Sequence, residues 1–137
     1  MSFLISRFMK RKQPSKPTDA ELAVLRVLWQ RGPSTVREVW QELNPQQGTG
    51  YTTVLKIMQI MFDKGLLARD ETARSHVYRA TQSQQRTQHE VVGHLLKRVF
   101  SSSAPQLVMQ ALAAKKATRA ELAEIRKLLD EIEGSAK

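Results

Sequence analysis

The chain has 137 residues, 41% of them hydrophobic, which suits one small packed domain with a helical appendage and is too little for two large domains. Its 22 Lys and Arg against 13 Asp and Glu give a formal net charge of +9, which favours a polyanionic partner, nucleic acid first and an anionic membrane second. Cysteine is absent, so disulfides and thiolate metal sites are excluded, and no apolar run reaches the roughly 18 residues a membrane span needs.

Residues 1–17 carry Arg7, Lys10, Arg11, Lys12 and Lys16 and no acid. Their apolar residues precede the basic ones, the reverse of a secretory signal. They read as a flexible basic arm closed by Pro14 and Pro17, with a short membrane-touching turn as the alternative. A cytoplasmic location is expected.

Thr18 and Glu21 have capping-box spacing, and Leu22, Leu25, Leu28 and Trp29 follow at helical intervals until Gly32 and Pro33. A second helix is expected from Ser34 as N-cap, with Val36, Val39, Trp40 and Leu43 as its apolar stripe and Asn44–Pro45 as its stop. A third runs from about Tyr51 to Lys64, with Val54, Ile57, Met58 and Met61 apolar and Gly65 closing it. Residues 66–69 and 76–79 then read as two short strands joined by a polar turn over 70–75. Three helices and a hairpin in this order form a winged helix-turn-helix, so the fold class is mainly α, with the winged helix over 18–80.

Residues 81–137 read as a helical dimerisation domain. Val92, Leu95, Leu96 and Val99 lie on one face of a first helix. Ser101 to Ser103 interrupt it, Pro105 fits the first turn of a second helix, and Leu107 and Val108 continue the apolar face. Thr118 and Glu121 form another capping pair before Leu122, Ile125, Leu128 and Leu129. Three short amphipathic helices cannot bury such faces alone, and a second copy would cover them.

In a helix-turn-helix reader, the N-terminal residues of the second motif helix meet bases and phosphates. Thr52 and Thr53 offer hydroxyls and methyls for that task, Lys56 lies one turn further, and Tyr51 can reach a phosphate. In the wing, Arg74, Ser75 and His76 suit the backbone or the minor groove, with Arg69 and Arg79 on the strands and the acids Asp70 and Glu71 opposing. The segment 18–80 holds eight basic and seven acidic side chains, so placement rather than bulk charge must attract DNA. Trp29 and Trp40 sit on apolar stripes and read as core. His89 and His94 are five apart, not the four that puts two imidazoles on one helical face, and no catalytic triad or phosphate loop occurs. Neither an enzyme, a metal site nor a cofactor is expected. Open alternatives are a winged-helix protein-interaction module and a non-specific basic nucleic-acid-binding protein.

The run from Thr18 to Trp29 resembles the opening helix of the penicillinase-repressor family of winged-helix transcriptional repressors. Gly50 to Met61, followed by Lys64, Gly65 and Leu66, resembles the family's recognition helix and its exit, and the strand ending at Val77 and Tyr78 is similar too. The resemblance is strong over 18–80 and continues more weakly to about 133. It implies a homodimeric repressor on a dyad-symmetric operator in double-stranded DNA, often paired with a membrane-bound sensor metalloprotease that relieves repression by cleavage. It also implies DNA contacts by Thr52, Thr53, Lys56 and Arg74. Two departures stand out. The family's Asn–Phe cleavage bond corresponds here to Gln110–Ala111, and the C-terminal cysteine cluster of copper-responsive members is missing.

Overall fold

The structure, a computed structural model, describes residues 16–136, so the expected basic arm lies outside the described residues except for Lys16 and Pro17. Helix α1 (Asp19–Arg31) opens on a complete capping box. The Glu21 N–H donates to the Thr18 hydroxyl at 3.2 Å, and the Thr18 N–H donates to the Glu21 carboxylate at 2.9 Å. Ala23, Val24, Leu25 and Leu28 form its buried face, and Leu22 and Trp29 pack at the margin.

Helix α2 (Val36–Gln47) departs from the sequence expectation at both ends. Its N-cap is Thr35, not Ser34: the Glu38 N–H donates to the Thr35 hydroxyl at 3.2 Å, and the Thr35 N–H donates back to the Glu38 carboxylate at 2.9 Å. Ser34 is fully buried and is used otherwise. It exchanges two backbone hydrogen bonds with Tyr78, at 2.9 and 2.8 Å, and its hydroxyl donates to the Gly32 carbonyl. At the other end the helix runs through Pro45 to Gln47. Proline removes one hydrogen bond, but Gly48 adopts the left-handed conformation (φ +62°) and its N–H donates to the Asn44 carbonyl at 2.8 Å, so the helix closes beyond the proline.

Helix α3 (Tyr51–Lys64) matches its expected bounds. It ends in a Schellman motif on Gly65 (φ +85°): the Gly65 N–H donates to Phe62 at 3.1 Å and the Leu66 N–H to Met61 at 2.9 Å. With Leu66 held in that closure, the hairpin starts one residue later than expected. Strand β1 (Leu67–Asp70) pairs antiparallel with β2 (Val77–Ala80), placing Leu67 opposite Ala80 and Arg69 opposite Tyr78. The Ser34–Tyr78 bridge adds a short third edge to this sheet. The core lies among α1, α2 and α3. Val39, Val54, Met58 and Met61 are wholly buried in it, and Leu67 and Tyr78 of the hairpin cap it.

The described residues divide into two compact units, one ending at Val91 and the other beginning at Val92. The first contains the winged helix and the first turns of helix α4 (Gln84–Val99), where Thr87 is buried. Trp29 donates its indole N–H to the Gln82 carbonyl at 3.0 Å, tying this stretch to α1. The second unit holds the end of α4, then α5 (Ala104–Ala114) and α6 (Arg119–Ala136). Ser101 and Ser102, both left-handed, make the link before α5, whose N-cap is Ser103 and whose first turn carries Pro105. Thr118 and Glu121 close the expected capping box on α6. The winged helix-turn-helix order read from the sequence is the observed one.

Candidate nucleic-acid interface

Helix α3 has two faces with opposite chemistry. Val54, Met58 and Met61 point into the core, so the 3.6-residue period turns Thr52, Lys56 and Gln59 outward, where all three are exposed. Thr53 and Tyr51 are exposed beside them. The N-cap is Gly50, which has no side chain to cap the helix, and the first turn carries no acid. The first N–H groups of α3, at the positive end of its dipole, therefore lie open to an anionic ligand.

Between the start of α2, the side of α3 and the wing lies an open cleft of about 510 Å³. It brings together four of the residues expected at the site: Tyr51, Arg74, Ser75 and His76. Thr52, Thr53 and Lys56 do not line it but sit on the exposed part of the same helix. The cleft also recruits Arg37 and Gln59, neither of which was expected as a site residue, and Arg69, which the sequence placed on a wing strand beside the expected loop contacts.

The ring of Tyr51 is held on two sides. Trp40 meets it edge-on at 6.0 Å, and the Arg37 guanidinium lies 5.5 Å from its centroid. Trp40 is fixed in turn by its indole N–H, which donates to the Thr49 carbonyl at 2.9 Å. Both tryptophans thus pack against the core, as expected. Arg69 is clamped more tightly. Its guanidinium stacks 3.9 Å from the Phe62 ring centroid, and its Nε donates to Glu71 at 2.6 Å. Hydrogen bonding with Tyr78, then with Glu71, raises its pKa above the ordinary arginine value.

The acids of this unit are largely committed. Glu21, almost wholly buried, holds Lys64 at 2.9 Å and so joins the start of α1 to the end of α3. Arg31 holds Glu38 and Glu42. The Thr35 N–H, helped by Arg31, keeps the Glu38 carboxyl below its ordinary pKa of 4.5. Asp70 accepts from the N–H and the hydroxyl of Thr72 inside the wing loop, which lowers its pKa from 3.8. Arg37, Lys56, Arg74 and Arg79, by contrast, make no ion pair among the described residues. Of the cations in 18–80 without an ion pair, all but Arg26 on α1 thus lie on or around α3 and the wing.

Sequence periodicity leaves Arg37 on the polar side of α2, but nothing local tells that Tyr51 folds back beneath it. Arg69 stands beside Glu71 in the sequence, and that pair reads as a solvated loop until Phe62 is seen under the guanidinium. Gln59 carries a usable signal: it lies seven residues after Thr52 and three after Lys56, on the same helical face.

In the second unit, Val92, Leu95, Val99, Val108, Leu128 and Leu129 are 38–64% exposed. Leu96, Leu107, Leu122 and Ile125 are half-buried. No described side chain from Val92 onward is buried. Among the described residues, no group of three or more His, Cys, Asp or Glu is placed to hold a metal, and no helix is long and apolar enough to cross a membrane.

The transcriptional regulator BlaI of Mycobacterium tuberculosis, in two strains, is 38% identical to this chain over 61 residues, 44% of each protein. The match thus spans less than half the length of these curated relatives. Among solved structures, the DNA-binding domain of the repressor BlaI is similar over 53% of this chain and 89% of its own, at 26% identity and a TM-score of 0.48. Bordetella bronchiseptica BpsR, whose DNA binding is regulated by 6-hydroxynicotinic acid, is similar over 96% of this chain and 91% of its own, at 20% identity and a TM-score of 0.46. The family model for the penicillinase repressor matches residues 17–131, nearly all of the described chain, and the protein belongs to the penicillinase repressor family.

Proposed function

We propose that this protein is a DNA-binding transcriptional repressor that acts as a homodimer on a palindromic operator, with 18–80 as its reading domain and 81–137 as its dimerisation domain. One observation carries the reading: the uncapped, acid-free first turn of α3 stands exposed beside Lys56, Arg74 and Arg37, none of which has an acidic partner among the described residues. Thr52 and Thr53 read base edges in the major groove, Lys56 and Tyr51 hold flanking phosphates, and Arg74, Ser75 and His76 of the wing meet the adjacent backbone or minor groove. In a dimer, two such helices lie about 34 Å apart, one turn of DNA, or a multiple of it. The exposed apolar faces of α4, α5 and α6 support the dimer, because a helical unit without a buried side chain lacks a core of its own.

Occupancy of a promoter blocks transcription, and a signal such as cleavage by a membrane sensor metalloprotease relieves it. Gln110–Ala111 lies within α5, so a protease needs that short helix to open before the bond becomes extended. Thr53→Ala tests the placement of α3. Affinity for the specific site falls by about 1 kcal/mol or more, the usual worth of a base contact, while affinity for random duplex stays the same. Unchanged specific affinity refutes the placement.

A further inference from the structure

We propose that the cleft between α2, α3 and the wing seats the sugar–phosphate backbone of the bound DNA, with Arg37 and Arg69 as its sequence-independent anchors. The inference rests on the DNA-binding reading above and extends it to residues outside the recognition helix and the wing tip. Three arginines, Arg37, Arg69 and Arg74, line this one cleft, and they come from three different segments of the fold. The Ser75 hydroxyl lines it as well, the Thr35 hydroxyl at its edge is engaged with Glu38, and no acid lines it. A cavity with guanidinium and hydroxyl donors and no carboxylate matches a phosphodiester, which is an acceptor only.

Rigidity separates Arg69 from an ordinary surface arginine. Phe62 lies under its plane and Glu71 takes its Nε, which directs that hydrogen bond away from the terminal nitrogens. Its side chain is already only 21% exposed, so little rotamer freedom remains to be lost on binding. Arg37 stacks above Tyr51, itself a residue assigned to the phosphates, and the Arg37–Tyr51 pair joins α2 to the start of α3. A backbone strand seated there touches the helix that reads bases and the wing together, and so fixes their common register on the duplex.

The test is a titration of the full-length protein with its specific duplex and with a random duplex, each over a range of salt concentrations. Arg37→Gln lowers both affinities by a similar factor and reduces the slope of log K against log salt by roughly 0.9 per protomer, the value for one phosphate on B-DNA. Arg26→Gln, a basic residue on α1 that does not line the cleft, leaves the slope unchanged. Arg69→Gln behaves like Arg37→Gln, and thermal melting checks that its wing is intact; Arg37 is exposed, so its variant carries the test if Arg69→Gln fails to fold. Duplexes with one neutral methylphosphonate linkage locate the contact: at one position, neutralisation weakens the wild type and has no further effect on Arg37→Gln. An unchanged salt slope in Arg37→Gln, a loss confined to the specific duplex, or no such linkage position overturns the proposal. Failure of the wild type to bind any duplex overturns the DNA-binding reading itself, a distinct outcome.

Discussion

Leu128 sits on the outer face of α6 and is 54% exposed in the single chain, next to Leu129 at 58%. Burying a whole leucine is worth about 1.5–3 kcal/mol. Covering the exposed half of Leu128 therefore contributes about 0.8–1.6 kcal/mol per protomer, and about 1.6–3.2 kcal/mol per dimer. Leu128→Ala is expected to weaken dimerisation by roughly 15- to 200-fold, since each 1.4 kcal/mol is a factor of ten. Leu128→Asp does more, because it places a carboxylate against an apolar face in each copy. Sedimentation equilibrium over a range of concentrations measures the dimer constant directly, and far-ultraviolet circular dichroism checks that α6 remains helical. Operator affinity falls in step with the dimer constant at protein concentrations where the variant is monomeric. An unchanged dimer constant in Leu128→Asp refutes the assignment of this face to the dimer.

Lys64→Ala leaves the buried Glu21 carboxylate with the Thr18 N–H but without its counter-charge. Breaking a fully buried pair costs about 3–5 kcal/mol; Lys64 keeps 29% of its side chain exposed, so a loss of about 2 kcal/mol is expected, measured by denaturant unfolding at fixed protein concentration. Adding Glu21→Gln to Lys64→Ala then costs less than in the wild-type background, and strict additivity contradicts the pairing. Acid weakens the capping box on α2. The Glu38 pKa is depressed in the folded state, so its contribution is complete above the ordinary 4.5 and is lost as the pH falls through the lowered value. The melting temperature of Glu38→Gln therefore declines less steeply than that of the wild type below about pH 5, and parallel curves argue against it.

Most of the fold was legible because its signals are local. The Thr18–Glu21 and Thr118–Glu121 capping pairs, the α3 stripe of Val54, Met58 and Met61, and the Gly65 closure each specify a helix from a few neighbouring residues. Errors arose where tertiary bonds outweighed local preference. Ser34 is a good N-cap in isolation, but the wing strand takes its backbone groups, and Thr35 caps the helix instead. Asn44–Pro45 reads as a stop, but Gly48 supplies a better terminus one turn on. The candidate site divides in the same way. Residues of one helix face or one loop, such as Thr52, Lys56 and Arg74, could be found by spacing. Arg37 and Arg69 owe their places to rings on another element, Tyr51 and Phe62 of α3, and no pattern in the sequence announces those contacts.

Footprinting on the promoter region of the protein's own gene, at two salt concentrations and against excess random DNA, tests the central claim most directly. The account predicts a discrete protected palindrome that survives competitor, with a preference of roughly a thousandfold or more over random sequence. Protection that competitor erases at both salt concentrations would contradict it and identify a non-specific nucleic-acid-binding protein.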